Sequence, residues 1–382
     1  MSRSVKSAWF VLVLLLMAVP VLAGEMAITE AAKEGKVNAD IRLRYEEVDQ
    51  DGTDEKAKAL TIRARLGYTT APWHGFKAQV EYAAAATVGI DDYNSTANGQ
   101  GQYPIIADPE DTQMVLVNLT YNPLETTKVT AGRQRIKLDN DRFIGNVGWR
   151  QLEQTYDGVL IETKPLENFT GTFAHLVNVN QVQGEHNPLR RTDVNVDLEV
   201  LNVSWKLGPG ELVGYGYFAD MADAPAMSTQ TLGVRFTGKR ALNDNMALLY
   251  TAEFAQQSDY SDGSSAIDAD YIHGIVGVGM KKVAVKVGYE ALGSNEGMFG
   301  FSTPFATLHA FNGWADIFLG TPPEGLEDTY LNVTAKVAGL KLVGVYHDFS
   351  SDFGGMDYGS EIDLMVAKKF GKHYSGTVSY TH

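Results

Sequence analysis

The 382-residue sequence has no cysteine. That excludes disulfides, thiolate metal centres and a lipidated N-terminal cysteine. Cations are in short supply as well: 32 Lys and Arg stand against 47 Asp and Glu, a formal net charge of −15. A nucleic-acid binder would show a basic face, so that class is excluded. Long apolar runs are missing except at the very start. There Arg3 and Lys6 precede the apolar stretch Ala8–Met17, Pro20 breaks it, and Val21-Leu22-Ala23 sets small residues before a cut after Ala23. This is the pattern of a cleaved secretory signal peptide over 1–23; an uncleaved anchor helix is the weaker alternative because the apolar core is short. Cleavage would remove two cations, leaving 30 against 47 and a net charge of −17. No later stretch holds 18 apolar residues, so no transmembrane helix is expected.

What the sequence does have is alternation. In Leu331-Asn332-Val333-Thr334-Ala335-Lys336-Val337 apolar and polar residues take turns, as they do in Val283–Glu290, Ile62–Leu66, Leu201–Leu207 and Leu232–Phe236. Period two means β-strand with one apolar and one polar face. A soluble sandwich would alternate too, but these segments approach the 9–11 residues of a membrane-crossing strand. Their polar faces carry Arg, Lys and Glu at mid-strand, which a dry core would reject. Aromatic residues crowd the strand ends: Tyr45, Tyr68, Tyr82, Tyr121 and Tyr215, then Tyr217, Tyr250, Phe254, Tyr289 and Tyr380. Interfacial girdles have this character. The expected fold is all-β, a transmembrane antiparallel β-barrel.

Seventeen such segments are counted between residues 36 and 381, among them 75–85 and 229–239. Short turns such as 122–125, 164–167 and 208–210 alternate with long connections near 85–111, 136–153, 180–196, 257–269 and 292–326. Closed bacterial barrels have an even number of strands, with short turns on the periplasmic side. Eighteen strands are therefore expected, the favoured reading being that a final loop and strand are missing from the C-terminus and the other that one segment is miscounted. The domain reading is a signal peptide over 1–23, a short periplasmic segment over 24–34 and one barrel over 35–382.

Assigning the inward face by alternation places ten cations in the lumen. Arg42, Arg44, Arg63, Arg65 and Lys77 lie in the first three strands, with Lys206, Arg235, Lys239, Lys286 and Lys336 further on. Seven acids share that face: Asp40, Glu46, Glu81, Glu253, Glu290, Glu361 and Asp363. Arg42 and Arg44 are expected opposite Arg63 and Arg65, with Arg133 and Arg135 following on the fifth strand, although Arg133 shares parity with Val129 and Ala131. Guanidinium forks bind carboxylates bidentately, so this set suits a carboxylated solute. The alternative is that the arginines pair with Asp40, Glu46 and Glu81 and serve only the wall. Acidic loop runs such as Asp108-Pro109-Glu110-Asp111 lack calcium-loop spacing and read as solvated. No nucleophile elbow or paired-His metal motif is present, and His347-Asp348 would point to opposite faces of a strand. Neither catalysis nor a metal is expected, with a barrel hydrolase a remote alternative. A plugged receptor is disfavoured because so little chain precedes the first strand.

Several segments resemble the alginate-export family of Gram-negative outer-membrane porins. They are Gly35–Glu46, Gly132-Arg133-Gln134 with Asp141–Gln151, Thr303–Asp316 continuing to Pro322 and Leu326, and Phe353–Gly359. The resemblance implies an eighteen-stranded barrel with an electropositive lumen and inward-folded loops that passes an anionic polyuronate outward. A general or small-solute porin is the alternative. Lumen contacts to solute are then expected from Arg42, Arg44, Arg63, Arg65, Lys77, Arg133, Arg135, Arg235 and Lys286. Constriction-loop candidates are Arg142, Trp149, Arg150, His309 and Trp314, with packing against the lumen wall as their alternative role. The implied partners are anionic polysaccharide or small anionic solutes, outer-membrane lipid and lipopolysaccharide, and the barrel-assembly machinery. No cofactor is implied, and the family favours a monomer.

Overall fold

The structure, a computed structural model, describes residues 28–189 and 191–382. The signal-peptide reading lies outside the described residues, and the short N-terminal segment is described only from Ile28, as helix α1 (Ile28–Lys33). Strands then follow one another without interruption by other folded units. They are β1 (Lys36–Val48), β2 (Ala57–Thr69), β3 (Phe76–Asp92), β4 (Asp111–Leu124), β5 (Thr127–Gln134) and β6 (Thr155–Leu166). Next come β7 (Phe169–Asn180), β8 (Asp193–Leu207), β9 (Gly210–Met221), β10 (Thr229–Asn243), β11 (Met246–Asp259) and β12 (Asp268–Met280). The last five are β13 (Val283–Leu292), β14 (Leu326–Val337), β15 (Leu340–Ser350), β16 (Asp357–Phe370) and β17 (Tyr374–Thr381).

Each strand pairs antiparallel with its neighbours in sequence, from β1 with β2 through to β16 with β17. The seventeen strands form one sheet. Each outermost strand, β1 and β17, has a paired neighbour on one side only among the described residues. At one end the connections shrink to the two residues 125–126, 167–168, 208–209, 244–245, 281–282 and 338–339. At the other they reach 93–110, 135–154 and 293–325. The short-turn end is the periplasmic one.

Alternation puts apolar side chains outward, where Ile41 is 74% and Val276 63% exposed, the solvation expected of a lipid-facing surface. The inner face departs from the expected polarity on one side. From β6 to β9 it is also apolar, with Leu160, Leu176, Leu198, Val200 and Val213 buried. These residues form a core with Phe143, Ile144, Phe301 and Phe305 from the two longest loops. Both loops fold into the barrel and dry that wall, at roughly 1.5–3 kcal/mol per buried large side chain. Tyr215 and Tyr217 belong to this packing, stacked on each other at 5.1 Å and against Phe143. They are not girdle residues, whereas Tyr45, Tyr82, Phe254, Tyr289 and Tyr380 do face outward, exposed.

Candidate functional site: the loop-filled constriction

Four arginines stand on the inner face of β1 and β2. Register sets Arg42 opposite Arg63, while Arg65 faces Asp40 and Arg44 faces Thr61. The expected two-by-two arginine array is therefore staggered, with one direct Arg–Arg pair. Like charges directly opposite destabilise a sheet, so these guanidinium groups need acceptors, and the loop between β5 and β6 brings them. Arg42 donates to Gln151 Oε1 at 2.9 Å, to the Gly148 carbonyl at 3.1 Å and to the Trp149 carbonyl at 2.9 Å. It also reaches the Arg150 carbonyl. Arg44 donates to the Trp149 carbonyl at 2.8 Å, pairs with Glu46 at 2.5 Å and lies 3.5 Å from Asp108. Arg63 pairs with Asp40 and donates to the Gln151 carbonyl. Arg65 approaches Glu153 at 3.3 Å, and Arg135 pairs with the same carboxylate at 2.5 Å and with Glu81.

Three residues that sequence reasoning did not single out complete this junction. Gln151 is fully buried and ties β2 to the loop through Thr61 Oγ1 at 2.8 Å, and its backbone N–H donates to Asp108 at 2.7 Å. Asp108, read from sequence as a solvated loop acid, is 1% exposed and sits inside the lumen. Glu153, 1% exposed, joins Arg65, Arg135 and the Asn146 amide. Glu153 and Gln151 carried a faint signal: they are polar residues flanking Leu152 just before a strand, where nothing else explains them.

The second long loop closes over the first. Gly145 N–H donates to the Phe305 carbonyl at 2.9 Å, Thr307 N–H to the Asp141 carbonyl at 2.9 Å, and Val147 N–H to Thr307 Oγ1 at 3.1 Å. Trp149 stacks on His309 at 4.1 Å and 14°, and the Arg44 guanidinium lies 4.4 Å from the centroid of its ring. His309 Nδ1 lies 2.7 Å from Asp316, which pairs with Arg150 at 2.9 Å; Arg150 also reaches Glu46 at 3.2 Å. Burial works against the Arg150 charge, but Glu46, Asp108 and Asp316 outweigh it and raise its pKa. For Asp316 burial acts upward, yet His309 and Arg150 prevail and hold the carboxyl below its ordinary value.

The remaining candidates separate. Arg142 is buried under the loops, 2.8 Å from Glu290 and 3.0 Å from Asn312 Oδ1, with Phe311 at 4.7 Å. It anchors the loop and does not line open space. Trp314 is half-buried, its backbone N–H held by Glu361. Arg235 faces inward but is matched across the ladder by Glu253, 3.4 Å away. Lys77 and Lys286 also face inward, and neither makes an ion pair among the described residues. Arg133 is a correction. It pairs in register with Val117, which is 48% exposed, on the outward face shared with Val129 and Ala131. Its partners are Asp157 at 2.8 Å and Glu185 at 2.5 Å, so it does not line the channel.

His347 and Asp348 do point to opposite faces; His347 is buried and 2.9 Å from Asp328. Where the sequence shows no metal motif, the fold brings His175, Asp197 and Glu199 together, their ligand atoms within 4.8 Å on the outward face of β7 and β8. His175 Nδ1 already contacts Glu199 at 2.8 Å, so the members of this group engage one another.

An inward-folded loop held on a wall of arginines is the arrangement implied by the segments quoted above, and residues 35–295 match the alginate export family model. The chain belongs to the alginate export family. No curated protein matches it. Among solved structures it is similar to Acinetobacter baumannii OccAB3, with 16% identity, a TM-score of 0.68 and coverage of 92% of this chain and 94% of that one. Pseudomonas aeruginosa OccD3 (OpdP) gives 15%, 0.68, 92% and 86%. The outer membrane protein OpdK of Pseudomonas aeruginosa gives 10%, 0.67, 91% and 93%. At such identities the likeness is one of fold. Family and fold together make this alginate export family member an outer-membrane channel of Gram-negative type.

Proposed function

We propose that this channel passes anionic solutes by passive diffusion, with polyuronates of the alginate kind as the substrate class, and performs no catalysis. The observation that carries the reading is the state of Arg42. Its guanidinium spends its donors on the neutral side-chain carbonyl of Gln151 and on backbone carbonyls. The hydrogen bonds hold the group in place without cancelling its charge. A fixed cation in a narrow, low-dielectric passage favours anions and repels cations. One observation favours a general porin instead: Arg44, Arg63, Arg65 and Arg135 each have a carboxylate close by.

The reversal potential under a salt gradient decides between them. The wild-type channel is expected to prefer anions. Arg42→Gln should lower the anion-to-cation permeability ratio by about two- to fivefold, the effect of about 0.5–1 kcal/mol from one charge at close range. Arg133→Gln, on the outer face, should leave the ratio unchanged. A cation-selective wild-type channel would establish the general-porin reading.

A further inference from the structure

We propose that the periplasmic mouth of the lumen carries a ring of lysines that captures a flexible polyanion, so that polyuronate enters from the periplasmic side more readily than from outside. This rests on the anionic-solute reading and gives that reading a side.

The ring follows from parity and register. Lys36 shares the inner face of β1 with Arg42, Lys77 that of β3 with Glu81, and Lys128 that of β5 with buried Thr130. Lys206 shares parity with buried Asn202, Lys239 with Arg235, and Lys286 with buried Glu290. Lys336 lies in phase with buried Asp328, Lys341 with Val345 and Lys369 with Asp363. All nine lie within five residues of the short-turn end of their strands. Three acids share this zone and face. Asp40 is taken by Arg63 and Glu162 by Lys128, and Glu211 lies opposite Lys206 in register. In the turns themselves Glu125, Glu167 and Asp244 are balanced by Lys281, Lys282 and Lys372.

Apart from Lys128, none of the nine makes an ion pair among the described residues. Lys336 and Lys341 are directly opposite each other, an arrangement that weakens the sheet. The Lys336–Lys341 pair therefore costs the fold stability without a structural return. Lysines at this level that faced lipid would be explained by leaflet phosphates, but these face the lumen. The lysines are one-sided: among the described residues no inward lysine occupies the extracellular half of a strand, and the inward arginines on that side, such as Arg44 and Arg135, are paired with carboxylates. Buried acids occupy the inner face there, including Glu290, Asp328, Glu361 and Asp363. Beside Lys77, Lys128 and Arg135 the wall forms a half-open cavity of about 420 Å³, also lined by Asn118, Gln134, Glu162 and several apolar side chains. Its amide and ammonium groups suit carboxylates and hydroxyls together. Many spaced cations engage a polymer with one charge per unit multivalently, where a single small anion would engage few.

The test is single-channel current through the full chain in a planar bilayer, with oligouronate added to one side at a time. Because the sequence has no cysteine, a Ser265→Cys substitution in the loop after β11, labelled with an impermeant thiol reagent, reports orientation. At 0.1 M salt the concentration that halves the current should be about tenfold lower from the periplasmic side. At 1 M salt, where the screening length falls to about 3 Å, the two sides should converge. A variant combining Lys206→Gln, Lys286→Gln and Lys336→Gln should remove most of the difference at low salt. Should that variant not fold, the salt dependence of the wild type decides alone. Equal block from both sides in an anion-selective channel overturns the ring while leaving the anion-channel reading intact. Absence of both anion selectivity and block overturns both.

Discussion

Single residues decide whether the constriction is held open or left loose. Asp316 joins the two inward loops: one carboxylate oxygen meets His309 Nδ1 at 2.7 Å and the other meets Arg150 at 2.9 Å. Its pKa is lowered, against burial, by those two partners. A carboxylate with a depressed folded-state pKa contributes stability that is complete above its unfolded value of about 3.9 and is lost as pH falls through the folded value. The loops should therefore stay tied from pH 7 to pH 5 and loosen only below about pH 4. Asp316→Asn keeps the shape but removes the charge, and should cost about 1–3 kcal/mol of loop stability at neutral pH. Open-channel current noise would report both effects: quiet wild-type traces at pH 5, noisy ones for the variant at pH 7. Noise that rises in the wild type already between pH 7 and pH 5 would assign the tie to another group.

At the scale of elements, the loop 135–154 is the working part and the sheet is its frame. Arg142 fixes that loop by a buried ion pair with Glu290 on β13. Removing one member of such a pair leaves a charge buried alone, so Arg142→Met should cost about 3–5 kcal/mol and free the loop. Protease cleavage within 135–154 of the folded channel should then appear where the wild type resists; an uncut variant would show that the hydrogen bonds from Gly145 and Thr307 suffice. The strands were legible in the sequence, this loop's position was not. Alternation in β14 or β13 has one solution, because each apolar residue has a polar neighbour to contrast with. Where that contrast fails, at Ala83-Ala84-Ala85-Ala86, the sequence ended the strand near 85 while β3 runs on to Asp92. Tyr215 and Tyr217 read as girdle residues in the sequence because an aromatic ring suits lipid headgroups and a dry lumen wall alike. For Arg133 charge suggests the inside, while its parity with Val129 and Ala131 points outward, and parity prevails. The site itself was half legible: the arginines were visible as a set, but their acceptors Gln151, Glu153 and Asp108 lie up to 109 residues away in two loops whose inward fold no local pattern encodes.

The whole molecule combines a strongly acidic chain, at a net charge of −15, with a basic mouth at one end of its lumen. Such a separation of charge along a pore makes ion flow depend on direction, even with simple salt. Anions accumulate at the lysine end and cations at the acidic end, because low-dielectric walls focus the field of fixed charges. When voltage drives both species away from the ends where they are enriched and into the pore, current is large; with the opposite sign both are depleted from it. In symmetrical 0.1 M potassium chloride the current–voltage curve should therefore bend, with one polarity passing more current at equal voltage. The screening length there is about 10 Å, comparable with the reach of a lysine into the lumen, and at 1 M it shrinks to about 3 Å. The curve should straighten over that range without any change in the protein. A linear curve at low salt would mean that the lysines are neutralised by ions bound in place, and the one-sided capture of a polyanion would then lose its physical cause as well.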